Sequence, residues 1–253
     1  MEMLTVEKIA FSYGGLQVLQ DISFSVKKGE KVALIGPNGA GKTTVLNVLT
    51  GLLTPQLGNI RLLDHDITYR PTHTRASLGL ARSFQVSSLF PQLSVLSNVL
   101  LALHGVQRTS RQMIRSMTAY KTYVDRADEL LESVDLLPKR NVLSRFLSHG
   151  EQRRLELILS LASSPKVLLL DEPTAGLTSE ESSELAQMLL KPTHKNGDDL
   201  AVLFVAHDLD LVFTLAERIL VLYYGIIIAE GTPEEIQANQ SVREIYLGET
   251  KGA

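Results

Sequence analysis

The chain has 253 residues, of which 44% are hydrophobic and 21% charged, with a formal net charge of −3 and no cysteine. At this length roughly 70–75% of the unfolded surface can be buried, so a core forms without disulfide or metal staples, and the composition excludes a disordered or collagen-like chain. The absence of cysteine excludes a disulfide framework, a thiolate zinc site and a thiol nucleophile, and the small negative charge gives no ground for a nucleic-acid binder.

The first 35 residues read as strands. Leu4–Tyr13 and Val18–Val26 are rich in β-branched and aromatic residues around a Gly14-Gly15 turn, and Lys31–Ile35 is a short apolar strand of the buried type. A glycine-rich loop, Gly36–Gly41, leads into a helix over Lys42–Leu49, and further short strands are expected at Gly58–Leu63 and Leu80–Gln85. From Leu93 to Leu161 the apolar spacing turns helical. Met113, Ile114, Met117, Tyr120 and Val124 share one side of a helical wheel, with Arg108, Arg111, Arg115 and Arg126 on the other. The tail returns to alternation: strands at Val167–Leu170 and Ala201–Ala206, helices at Glu180–Leu190 and Asp208–Ala216, and a hairpin of Arg218–Tyr223 and Ile226–Ala229 about Tyr224-Gly225. Two short helices follow, the first announced by Thr232-Pro233-Glu234-Glu235. Such alternation predicts an α/β fold with a mostly parallel sheet and an inserted helical subdomain. The first ten residues lack a secretory pattern and no apolar run approaches the about 20 residues that span a bilayer, so the expectation is a chain soluble by itself that reaches a membrane only through another protein.

Gly36-Pro37-Asn38-Gly39-Ala40-Gly41-Lys42-Thr43 matches G-x-x-x-x-G-K-[ST], which arises by accident in about one chain in a hundred of this length. The chemistry needs these types in this order. Glycines let successive N–H groups turn toward phosphate oxygens, the following helix contributes its positive end, Lys42 reaches the β- and γ-phosphates, and the Thr43 hydroxyl ligates Mg²⁺. A second apolar strand ends in Asp171-Glu172. An aspartate leaving a buried strand beside a phosphate loop holds Mg²⁺, and the adjoining Glu172 is placed to polarise an attacking water as general base. Alone, an acidic turn after a strand carries little; beside the phosphate loop it points to nucleotide hydrolysis.

Leu147-Ser148-His149-Gly150-Glu151-Gln152 stands before the helix leading to that second strand and resembles the LSGGQ signature of ATP-binding-cassette (ABC) ATPases. The resemblance runs from about Leu4 to Gly248. It implies that Tyr13 stacks on adenine, that Gly36 through Thr44 bind the nucleotide, and that Gln85 senses Mg²⁺ and the attacking water. It further implies that Ala175-Gly176-Leu177-Thr178 is the loop after the second acidic motif and that His207 contacts the γ-phosphate. Ser148, Gly150 and Glu151 would act on ATP held by a partner cassette, so that two chains enclose two nucleotides. Leu80–Phe90, Leu147–Leu157, His207–Phe213 and Ala229–Leu247 look most like the cassettes of branched-chain amino-acid importers, with amide and urea importer cassettes as relatives. His149 replaces a signature glycine, Glu151 a glutamine, and Thr178 a common aspartate.

The resemblance therefore implies one ABC ATPase domain over 1–253. Residues 1–86 and 164–253 would form a RecA-like P-loop core with an N-terminal antiparallel β element, and 87–163 a helical signature subdomain. Its cofactors would be ATP and Mg²⁺. Its partners would be polytopic permease subunits, a second cassette (identical or sibling) and, indirectly, a solute-binding protein, with no nucleic acid, and it would sit at the inner face of the cell membrane. The competing readings are a soluble ABC ATPase of DNA repair or translation, which usually carries two cassettes or a long coiled coil, and a degenerate regulatory subunit, which Glu172 and His207 disfavour. His65, His73, His104 and His194 stand singly without metal-ligand spacing. The Met113–Val124 stripe reads as subdomain core, and the arginine stripe as a solvated face or a contact for a membrane partner or anionic lipid.

Overall fold

Apolar residues of the first two strands alternate, but with one change of phase in each. In β1 (Glu2–Tyr13) Leu4 and Val6 are buried and then Ile9 and Phe11; in β2 (Leu16–Lys27) Leu19 is followed by Ile22, Phe24 and Val26. A three-residue step would turn half of each strand outward. Bulges absorb it: Lys8 and Asp21 both adopt φ +51, and the register shifts between Val6 and Ile9. The computed structural model of this chain describes residues 1–83, 89–106, 121–190 and 199–248. The antiparallel sheet is completed by β4 (Leu57–Leu62) and β5 (His65–Asp66), in the order β2-β1-β4-β5.

The second sheet runs β10 (Ile226–Gly231), β9 (Arg218–Tyr223), β3 (Lys31–Ile35), β8 (Ala201–Val205), β7 (Val167–Asp171), β6 (Leu80–Arg82). Every pair is parallel except β9–β10. All residues of β7 and β8 are buried, as strands covered on both faces require. Helices α1 (Lys42–Thr50), α2 (Thr72–Ser77), α7 (Leu209–Leu215), α8 (Pro233–Ala238) and α9 (Gln240–Gly248) belong to this unit, which comprises Met1–Arg82, Lys166–Pro173 and Asp198–Ala253.

The other unit comprises Ser83–Pro165 and Thr174–Gly197 and is helical. Its core joins Val95 and Val99 of α3 (Val95–Val106), Leu130 of α4 (Lys121–Glu132), Leu155 and Ile158 of α5 (His149–Leu161), and Met188 of α6 (Ser179–Leu190). Packing of Met188 places α6 here, whereas the sequence reading grouped that segment with the core. Tyr123 and Val124 pack on this core; Met113, Ile114, Met117, Tyr120, Arg108, Arg111 and Arg115 lie outside the described residues. Arg126 pairs with Glu129 one helical turn away, at 2.9 Å.

Candidate nucleotide site

Parallel pairing brings three strand ends to one edge of the larger sheet. Leu34 of β3 and Asp171 of β7 both align with Val205 of the intervening β8, so the phosphate loop, Glu172 and His207 all leave the sheet at its carboxyl edge, where ligands bind in open α/β sheets. Gly36 begins the loop where the backbone passes so close to β9 that a Cβ would collide with the Leu222 carbonyl oxygen. Asn38 and Gly39 are exposed, Pro37 is half-buried and Ala40 is buried; the Ala40 carbonyl accepts from the Gly225 N–H at 3.0 Å. Gly41 caps α1 with φ +107, without a side-chain cap and without an acid in the first turn, which leaves the positive helix end uncompensated by the protein. Lys42 is only 6% exposed, and its ammonium donates to the carbonyls of Gly36 at 2.6 Å and Pro37 at 2.9 Å, across the loop itself. Thr43 is exposed and Thr44 buried. Tyr13, half exposed at the end of β1, stands edge-on to the buried Phe11, with ring centroids 4.8 Å apart.

Asp171 is enclosed, and its Oδ2 accepts from Arg82 Nη2 at 2.7 Å. Its Oδ1 is buried with no hydrogen-bond partner. An orphaned carboxylate oxygen at Asp171 and an exposed hydroxyl at Thr43 are the hard-oxygen donors that a hydrated Mg²⁺ takes, so the chemistry of these residues fits the cation. The next residue, Glu172, adopts φ +48 and is tied to β8 by its N–H to the Val205 carbonyl at 2.9 Å. That turn directs the Glu172 carboxylate to His207, whose Nε2 lies 2.8 Å from Oε1. His207 precedes Asp208, which caps α7 by accepting from the N–H groups of Asp210 and Leu211. Gln85 lies outside the described residues.

In the helical unit Ser148 caps α5 in a reciprocal box: its hydroxyl accepts from Glu151 N–H at 3.2 Å, and Glu151 Oε2 accepts from Ser148 N–H at 3.0 Å. The other Glu151 oxygen pairs with Lys139. Burial pushes the Glu151 carboxyl up, but the bonds from Lys139 and Ser148 and the charges of Lys139 and Arg154 outweigh it and hold the group below the usual carboxylate range. Both Glu151 oxygens are thus committed within the protein, and the carboxylate serves as frame for Ser148. A Cβ at Gly150 would overlap the Glu181 carboxylate, so a side chain there would have to push the end of that glutamate aside. Thr178 takes up the capping role of an aspartate, with its hydroxyl accepting from Glu181 N–H at 3.3 Å and Glu181 Oε2 accepting from Thr178 N–H at 3.0 Å. His149 packs against Gly176 of the same loop.

Sequence reasoning missed Arg82 and Asn47 in the first unit, where Arg82 Nη1 donates to Asn47 Oδ1 at 2.7 Å, and Lys139 in the helical one. Lys139 carries no signal ahead of the fold. Arg82 carries one, a lone cation in an otherwise apolar strand that must find a buried partner.

The comparisons agree with this geometry. The family model described as "ABC transporter" matches residues 19–175, and that described as "Branched-chain amino acid ATP-binding cassette transporter" matches residues 227–251. The high-affinity branched-chain amino acid transport ATP-binding protein LivG of Salmonella typhimurium is 37% identical over 98% of both chains. The lipopolysaccharide export system ATP-binding protein LptB of Escherichia coli K12 is 36% identical, again over 98% of both. Among solved structures, the ADP conformation of MJ1267, an ATP-binding cassette of an ABC transporter, superposes with TM-score 0.87 at 28% identity, covering 98% of this chain and 99% of that one. With its RecA-like α/β core, antiparallel sheet and helical insertion, this chain belongs to the ATP-binding cassettes of ABC transporters, ATPases that couple ATP hydrolysis to transport.

Proposed function

We propose that the chain energises an importer of branched-chain or other hydrophobic amino acids. In this reading it is held at the inner face of the cell membrane by polytopic permease subunits and paired with a second cassette. A solute-binding protein delivers the cargo, and nucleic acid plays no part. The observation that carries the reading is the match of residues 227–251 to the branched-chain cassette model, a segment outside the ATPase motifs, added to the LivG match along nearly the whole chain. The LptB match, close behind in identity, favours a second reading in which the cargo is an exported lipid. A pulldown of the tagged chain from its host in mild detergent, with mass spectrometry, separates them. Two polytopic subunits, a second cassette and a solute-binding protein support import; partners of lipid export, a soluble partner, or nucleic acid alone overturn it.

The roles we propose join this geometry to the family resemblance. Tyr13 stacks on the base. The backbone of Gly36, Pro37, Asn38, Gly39, Ala40 and Gly41, with Lys42 and Thr44, holds the phosphates, the lysine exchanging its loop carbonyls for phosphate oxygens. Thr43, Gln85 and Asp171 would hold Mg²⁺, which when bound neutralises charge on the β- and γ-phosphate oxygens. Glu172 accepts a proton from water as the water oxygen bonds to the γ-phosphorus and the bond to the β-phosphate oxygen breaks, releasing ADP and phosphate. His207 fixes the Glu172 carboxylate through their 2.8 Å contact and meets the γ-phosphate. Ser148 and the bare backbone at Gly150 serve the partner's nucleotide, with Glu151 holding Ser148 in place. Positioning and charge supply most of the catalysis, since phosphoryl transfer leaves little covalent work to the protein.

A further inference from the structure

Arg82 closes a strand whose other residues are Leu80 and Ala81, and its side chain is only 9% exposed. One arm of the guanidinium, Nη2, donates to Asp171 Oδ2 at 2.7 Å, and the other, Nη1, donates to Asn47 Oδ1 at 2.7 Å. The one side chain therefore ties β6 to β7 and to the helix that follows the phosphate loop. As a stability device this is poor. Burying an ion pair forfeits hydration that apolar contact would not, and this pair also leaves Arg82 Nε and Asp171 Oδ1 buried without partners. Its placement is on the carboxylate that fits the divalent cation.

A carboxylate balanced by a guanidinium attracts a divalent cation much less than a bare one does. Nucleotide phosphates bring the negative charge that the pair withholds. We propose that Arg82 is a positioning residue that makes cation binding conditional on nucleotide: it pins Asp171 by Oδ2, reserves Oδ1 as acceptor, and cancels the carboxylate charge so that the ion is retained only together with the phosphates. The inference rests on the proposed assignment of Asp171 to the cation.

The test uses Mn²⁺ as probe metal, titrated into the nucleotide-free chain and followed by electron paramagnetic resonance, with folding checked by circular dichroism. Arg82→Gln should bind Mn²⁺ about tenfold more tightly than wild type, while Arg82→Lys, which keeps the charge, stays near wild type. Adding Asp171→Asn to Arg82→Gln should erase the gain. Where glutamine is not tolerated, Arg82→Met replaces the buried pair by apolar contact and carries the same expectation. Wild-type affinity in the charge-free variants, or an equal gain in Arg82→Lys, overturns the proposal. Asp171→Asn alone, titrated with ADP present, separates the two levels. If it does not weaken Mn²⁺ binding, the assignment of Asp171 falls; if it does and Arg82→Gln changes nothing, only the role of Arg82 falls.

Discussion

Glu172 holds a left-handed backbone conformation, φ +48, that costs a non-glycine residue about 1–3 kcal/mol and persists only where its surroundings enforce it. The Val205 carbonyl and His207 are those surroundings. Glu172→Gln keeps the backbone and the size but cannot accept a proton, so nucleotide binding should persist while phosphate release falls by about a hundredfold or more; turnover near wild type in a phosphate-release assay removes Glu172 from its role. Lys42→Ala acts on the other side of the reaction. If the buried ammonium meets phosphate as proposed, its loss should weaken ATP binding by about ten- to a hundredfold in a fluorescent-nucleotide titration, the scale of a charged hydrogen bond. The roles proposed for these residues could be read from the sequence because each sits in a motif of fixed local spacing. Arg82 was not, because its partners Asn47 and Asp171 stand 35 and 89 positions away and only the folded sheet and helix bring them together.

Secondary-structure ends show the same division. The box at Thr232 and Glu235, with Pro233 at the first helical position, was readable in advance because all its parts lie within four residues. Ser148 and Glu151 form an equivalent box, and Ser148→Ala should cost about 1 kcal/mol of stability in chemical denaturation, apart from any loss of coupling. Helix α2 escaped notice: Thr72–Ser77 is short and has no apolar periodicity. Arg75 holds it. The side chain, 2% exposed, donates to the carbonyls of Val48 and Leu49 at the end of α1, and to those of Thr68 and Arg70. Burial pulls its pKa down to about 10, so it stays charged at neutral pH with carbonyl oxygens as its solvent. Arg75→Met should destabilise the protein by about 3 kcal/mol or more, because several buried acceptors lose their donor at once; a melting temperature within a degree or two of wild type would refute this account.

Across the whole molecule, strand order was the part that composition and periodicity could not provide. Apolar runs located β3, β7 and β8, yet nothing in them says that β3 lies between β8 and β9, since parallel neighbours share no local signal. What locks the arrangement is long-range: Arg218 on β9 pairs with Glu30 at 2.7 Å and with Glu230, and donates to the Ser25 carbonyl at 2.6 Å. Burial pushes the Glu30 carboxyl up, but Arg218 and the Lys27 N–H outweigh it and hold the group below its ordinary value of 4.5. The stabilisation is therefore complete above that value and is lost as pH falls through the lower folded value. Melting curves of wild type and Glu30→Gln should be well separated at about pH 7 and draw together as pH falls below the ordinary value of 4.5; a constant gap would show that Glu30 acts by packing alone. The sheet order also has a consequence for biosynthesis. Among the described residues, the strand that delivers the phosphate loop pairs only with β8 and β9, and the Ala40 carbonyl with Gly225. On a ribosome adding about 5–20 residues each second, the loop's anchoring strand emerges roughly ten to forty seconds before its neighbours exist. Nucleotide competence is thus acquired late in translation, and a chain stalled or truncated before the last hairpin carries the whole phosphate-binding motif without β9 and the Gly225 N–H that complete its support.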